Sequence, residues 1–123
     1  MSRSPLSNML NAEDLGEGDI SLAMGALTPL SYVNVLLDHA TPAQLERYLT
    51  PLADESFVSA TLAFMEPRAL FDALDMHTVA VHDGHDYLIS GEKTAVALGD
   101  TARYLLVFAK EVVNQKTFAF VVE

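Results

Sequence analysis

The sequence predicts an α+β fold: N-terminal helices followed by a small antiparallel β-barrel or sandwich. Three observations point there. Apolar residues between Ile20 and Leu37 recur mostly at steps of three and four, the spacing of one helix face. Thr41-Pro42-Ala43-Gln44 carries the chemistry of a helix start. Beyond Ser56, β-branched and aromatic residues gather in short runs separated by turn residues. The change of character divides the chain into a helical segment over 1–55 and a β segment over 56–123.

The first stripe comprises Leu22, Met24, Leu27, Leu30, Val33, Leu36 and Leu37. Glu13, Asp14, Glu17 and Asp19 lead into it, and acids suit a helix N-terminus because its first amides are unpaired. Gly25 and Pro29 interrupt the stripe, so a kink or two shorter helices is expected. The next helix has Thr41 as N-cap, Pro42 in the first helical position and Gln44 completing a capping box. It runs through Leu45 and Tyr48 and stops before Pro51. A strand is expected over 57–64. Runs 78–82 and 87–90 then meet across Asp83-Gly84-His85-Asp86, because Asp-Gly tolerates the positive φ of a tight turn. Runs 104–109 and 117–122 supply two more strands, with the polar stretch 110–116 between them. The last of these ends the chain with a strand edge that calls for cover, from a homo-oligomer or from a larger subunit.

Composition narrows the function. The chain has 123 residues, with seven Lys and Arg against seventeen Asp and Glu and a formal charge of −10. Half the residues are hydrophobic and mean hydropathy is +0.23, too apolar for a disordered acidic chain. Seven dispersed cations cannot neutralise a phosphate backbone, so no nucleic-acid partner is expected. No unbroken apolar run approaches the roughly 20 residues of a membrane span, and no basic-then-apolar leader opens the chain. The absence of cysteine excludes disulfides, thiolate metal sites and a cysteine nucleophile. A soluble, cytoplasmic protein is the expectation.

The order of these pieces resembles part of the acyl-CoA dehydrogenase family. Residues Asp19-Ile20-Ser21-Leu22-Ala23-Met24 are similar to the end of the family's N-terminal helical domain. The stretch from His39 to Ala53 is similar to its Gly-Thr-x-x-Gln-x-x-x-Tyr-Leu-x-Pro-Leu-Ala link. Met65-Glu66-Pro67-Arg68-Ala69-Leu70-Phe71-Asp72 stands where the family has Thr-Glu-Pro-Gly-Ala-Gly-Ser-Asp. Asp83-Gly84, then Tyr87-Leu88-Ile89-Ser90-Gly91-Glu92-Lys93-Thr94, resembles its hairpin and Gly-x-Lys segment, the start of its middle β-domain. The likeness runs from about Leu15 onward, and its specificity lies in the order and spacing of the motifs.

The resemblance implies helices packed on a β-domain whose strand ends line FAD, with acyl-CoA as substrate for α,β-desaturation. It carries cofactor contacts onto Phe64, Met65, Glu66, Ala95, Val96 and Ala97, and a substrate contact onto Phe71. The sequence departs from the family at most of these points. Met65 lacks the hydroxyl of the family's Thr, and Arg68, Leu70 and Phe71 replace two glycines and a serine that allow close approach to phosphates. Ala95-Val96-Ala97 replaces a Trp/Phe-Ile-Thr/Ser triplet that covers the flavin, so the aromatic ring and the hydroxyl are both lost. Backbone donors at Met65, Ala95 and Ala97 survive any side-chain change. Glu66, Pro67, Ala69, Asp72, Gly91 and Lys93 persist and read as scaffold, and Arg68 reads as a surface residue before a phosphate partner. The family's catalytic Glu belongs to a C-terminal helical domain; no residue here is assigned that role, and the chain alone is not expected to turn over. An inactive structural or interaction module derived from the family is the alternative.

The other polar residues carry blander readings. His82, Asp83, His85 and Asp86 read as a polar hairpin tip rather than metal ligands. His39 and His77 sit at element ends as surface or capping groups, and Met9, Met24, Met65 and Met76 read as core filler.

Overall fold

The computed structural model describes residues 4–53 and 56–123, so the expected boundary at residue 55 lies outside the described residues. Four helices lead: α1 (Pro5–Gly18), α2 (Ile20–Leu27), α3 (Pro29–His39) and α4 (Pro42–Tyr48). A 3-10 turn, Thr50–Ala53, follows. Helix α1 has no counterpart in the sequence reading, although Ser4 caps it and Pro5 opens it as the rules for helix starts require. Glu13, Asp14 and Glu17 therefore lie within α1, and Asp19 alone caps α2, accepting from the amides of Ser21 and Leu22 at 2.8 and 3.0 Å. The apolar stripe divides at Thr28–Pro29, as the proline demands, whereas Gly25 stays inside α2. The capping box of α4 is complete, with Thr41 and Gln44 bonded reciprocally. Read as one run, residues Ile20–His39 are long and apolar enough to cross a membrane, at mean hydropathy 1.6. It is not an unbroken apolar run, because Ser21, Thr28, Ser31, Asn34 and Asp38 interrupt it. Only 17% of it is buried, and Tyr32 and Leu36 are the residues that pack against the sheet.

Five strands follow: β1 (Ala60–Ala63), β2 (Val79–Asp83), β3 (Asp86–Ser90), β4 (Tyr104–Glu111) and β5 (Thr117–Val122). They form one open, mixed sheet. Antiparallel β5 occupies one edge of β4 from Leu105↔Val122 to Lys110↔Thr117. Strands β1 and β2 must then share the other edge end to end, both parallel to β4: β1 faces Tyr104 to Val107, and β2 faces Lys110 and Glu111. The expected antiparallel pairing holds for β2–β3 and β4–β5, and the two parallel pairings arise because β4 returns only after a long excursion. Gly84, at φ +66°, makes the turn of the β2–β3 hairpin.

Tyr104 and Leu106 of β4 face the helices, packing with Tyr32, Leu36 and Ala60 in the main core. Tyr32 stacks on Tyr104 at 6.1 Å between ring centres, and Tyr48 meets the same ring edge-on at 6.2 Å. Further along β4, the buried residues become Ala109 and Glu111, which the pleat turns to the opposite face. Among the described residues the Tyr32 hydroxyl is buried without a hydrogen-bond partner, and burial, with the neighbouring tyrosines, raises its pKa. An orphaned buried hydroxyl is a net cost. Tyr32→Phe is therefore expected to stabilise the protein by about 1 kcal/mol, read as a higher midpoint in urea unfolding; a loss of stability would mean that the hydroxyl has a partner.

Candidate functional site

Two segments approach each other beside the end of β1. The chain leaves β1 through Phe64, Met65 and Glu66, and the loop after β3 passes through Gly91, Lys93 and residues 94–97. The Thr94 amide donates to the Met65 carbonyl at 2.8 Å, and the Lys93 ammonium donates to the Phe64 carbonyl at 3.1 Å. These bonds bring Phe64 and Met65 against the start of the 94–97 loop, which carries Ala95, Val96 and Ala97 and forms a rim with them. Gly91 lets the β3 loop reach this position: its φ is +155°, and a Cβ there would lie 2.6 Å from the Thr78 backbone.

Beneath the rim lies a buried charge cluster. The Glu66 carboxylate pairs with Lys93 at 3.2 Å, with side-chain exposures of 3% and 8%. It also accepts from the His77 amide at 2.9 Å and the Thr78 amide at 2.7 Å. Burial alone raises the Glu66 pKa, but the two amides and the Lys93 ammonium together outweigh it and hold the carboxyl at about 2, below its ordinary 4.5. Glu66 is therefore turned inward and keeps only its backbone for any ligand.

Arg68 is part-buried, with 24% of its side chain exposed, and its guanidinium is engaged within the chain. Its guanidinium donates to the imidazole of His77 at 2.8 Å and to the Asp75 carbonyl, and lies 3.7 Å from Glu66 and 3.8 Å from the Asp75 carboxylate. His77, read from sequence as a surface or capping group, is the acceptor in that contact. Phe71 is held edge-on against Phe64 at 5.3 Å, and Phe64 in turn against Phe108 at 5.1 Å. Arg68, Leu70 and Phe71 stand for two glycines and a serine of the family; Phe71 packs on Phe64, and Arg68 lies beside Glu66.

The rim offers mainly backbone to a ligand. Met65 is 48% exposed and brings no hydroxyl. Ala95 and Leu98 hold positive φ of 54° and 55°, which costs a non-glycine residue roughly 1 kcal/mol each. Ala95 and Ala97 are exposed, and among the described residues no acceptor takes their amide hydrogens. These donors fit the polar edge of a flat heterocycle, whereas an aromatic cover and a hydroxyl are missing. No cluster of three or more metal-ligating side chains occurs among the described residues.

The low Glu66 pKa gives this site a pH signature. A carboxyl depressed in the folded state stabilises fully above its unfolded value near 4.5 and loses that contribution as pH falls toward 2. The loss amounts to about 3 kcal/mol. Glu66→Gln should destabilise the fold by a similar amount at pH 7, because Lys93 stays buried with its charge unpaired. It should also flatten the acid limb of a stability-against-pH curve measured by urea unfolding.

No family model matches the sequence. The chain is 34% identical over 121 residues to cyclohex-1-ene-1-carbonyl-CoA dehydrogenase of Geobacter metallireducens, a match covering 96% of this chain and 32% of that protein. It is 33% identical over 107 residues to mitochondrial isovaleryl-CoA dehydrogenase of Pongo abelii, covering 85% of this chain and 25% of the relative. Among solved structures, acyl-CoA dehydrogenase from Geobacillus kaustophilus superposes with a TM-score of 0.70 at 25% identity, over 95% of this chain and 32% of that one. The prolyl acyl carrier protein oxidase AnaB gives a TM-score of 0.63 at 32% identity, over 72% and 24%. The chain thus spans between about a quarter and a third of the length of these relatives. In sequence and in fold, over the stretch it shares with them, the chain belongs to the acyl-CoA dehydrogenase family.

Proposed function

We propose that this chain supplies one wall of a flavin and acyl-CoA site of the kind that desaturates acyl thioesters. The observation that carries the reading is the joining of Met65 and the 94–97 loop on one rim by the Thr94–Met65 bond. FAD would lie against the backbone of Met65, Ala95 and Ala97, with Val96 between the last two, and would supply the hydride acceptor when bound. Acyl-CoA would pass near Phe71. The family relationship supports both assignments, and the free amides at Ala95 and Ala97 match the polar edge of a flavin ring.

The reading assigns no catalytic base to this chain. Glu66, the buried acid at the rim, is ionised but held by Lys93 and two amides, and a carboxyl at about 2 is a poor proton acceptor. The α-proton would have to leave to a group outside this chain. Purified protein mixed with FAD should show a bound flavin absorbance band after gel filtration while giving no desaturation of acyl-CoA alone. Protein that emerges colourless overturns the cofactor assignment.

A second reading, an inactive interaction module derived from the family, is favoured by a different feature. The outer side of β5 lacks a neighbour among the described residues, and beside it runs a trough of about 680 Å3 lined by Val35, Tyr48, Tyr87, Ile89, Phe118 and Phe120. An uncharged six-residue edge carrying half-exposed aromatics invites pairing. Light scattering over a hundredfold range of concentration should then report self-association, and a strictly monomeric species would overturn this reading.

A further inference from the structure

We propose that Lys93 is a positioning residue: by gripping the Phe64 carbonyl and the Glu66 carboxylate, it sets where the backbone of Met65 and of residues 95–97 stands. The use of that position rests on the cofactor reading above; the geometry does not.

The case begins with the sheet. Strands β1 and β2 lie end to end on one edge of β4 and share no ladder, so no strand pairing connects the exit of β1 to the loop after β3. Two ties bridge them. One is the single backbone bond from Thr94 to Met65. The other is Lys93, whose ammonium reaches the Phe64 carbonyl at 3.1 Å, Glu66 at 3.2 Å and the Met76 sulfur at 3.8 Å. Glu66 extends the grip to a third segment through the amides of His77 and Thr78, just ahead of β2.

Beyond Lys93 the loop turns back on itself through Gly99 to Val96 and Ala102 to Leu98, then rejoins the sheet where the Arg103 amide meets the Ser59 carbonyl. Residues 95–97 are therefore tethered at 94 and again through the Val96 carbonyl. The tether at 93–94 decides how far they stand from Met65. A buried ammonium with a carbonyl and a carboxylate in fixed directions holds that distance better than one exposed backbone bond, because its desolvated contacts are screened little by water.

The test uses amide exchange, with the double variant Glu66→Gln/Lys93→Met, which removes the ammonium from the Phe64 carbonyl without leaving either charge buried alone. We expect the Thr94 amide to exchange at least about tenfold faster, while the amides of Leu106 and Phe108, in the middle of β4, change by less than about threefold. Uniform acceleration of all three would mean that Lys93 serves global stability alone, and it overturns the proposal. An unchanged Thr94 overturns it as well. Should that variant fail to fold, Lys93→Arg keeps a cation on Glu66 but alters its reach to the Phe64 carbonyl, and should give the same local pattern with a smaller rise; a uniform rise again overturns it. A parallel FAD titration separates the two ideas. If wild-type protein takes no FAD while Thr94 responds as expected, the positioning role stands and the cofactor reading falls. If both proteins bind FAD with equal affinity, the positioning role falls and the cofactor reading stands.

Discussion

The ion pair between Glu66 and Lys93 is the constraint on which the rest of the site depends. Two charges with side-chain exposures of 3% and 8% have lost most of their water, and a bare pair so placed would gain little over an apolar one. The surroundings change that balance. Glu66 accepts from two amides, Lys93 has a carbonyl, and the desolvation of each charge is offset by bonds in fixed directions. The result is a knot that ties the exit of β1 to the two segments flanking the open end of the β2–β3 hairpin. Arg68 adds an outer turn by binding the 72–77 loop to the same carboxylate, and Lys110 draws in Asp75 from β4.

This frame explains how the rim can lose side-chain chemistry without losing shape. Met65, Ala95 and Ala97 contribute mostly backbone, and backbone position is set from beneath by Glu66, Lys93 and Gly91. Substitutions on the outer side of the rim therefore change what it can bind while leaving the geometry alone. The same logic accounts for Phe71. Where a small residue would leave space, its ring fills the gap edge-on against Phe64, so the turn after Pro67 is closed by packing.

Much of this was legible in the sequence where local chemistry decides the outcome. Thr41, Pro42 and Gln44 specify a helix start by their own hydrogen bonds, Pro29 breaks the stripe, and Asp83-Gly84 makes a hairpin. Persistence of Glu66 and Lys93 suggested scaffold, and the two pair with each other beneath the rim. The illegible parts depend on partners distant in sequence. Helix α1 has no buried residue, so it shows no apolar stripe to read. The parallel placement of β1 and β2 on β4 depends on contacts across more than 30 positions. Arg68 could not be placed from its neighbours, because its partners His77 and Asp75 reach it through a loop whose course follows from the knot.

The distribution of apolar residues completes the physical picture. A chain that is half hydrophobic ought to build a large core, yet the described core is modest and centred on Tyr32, Leu36, Ala60, Tyr104 and Leu106. The balance lies outside it: Leu6, Met9, Ile20, Leu22 and Met24 on α1 and α2 are each at least 60% exposed. Single exposed apolar residues are ordinary, but a row of them along adjoining helices is the mark of a surface shaped for cover. A chain spanning a third or less of its relatives' length would show this pattern, because elements that pack tightly in a larger body keep their apolar faces when considered by themselves. The rim escapes this dependence. Its residues are held by buried charge and by glycine geometry within the β segment, so its shape does not depend on the exposed helices.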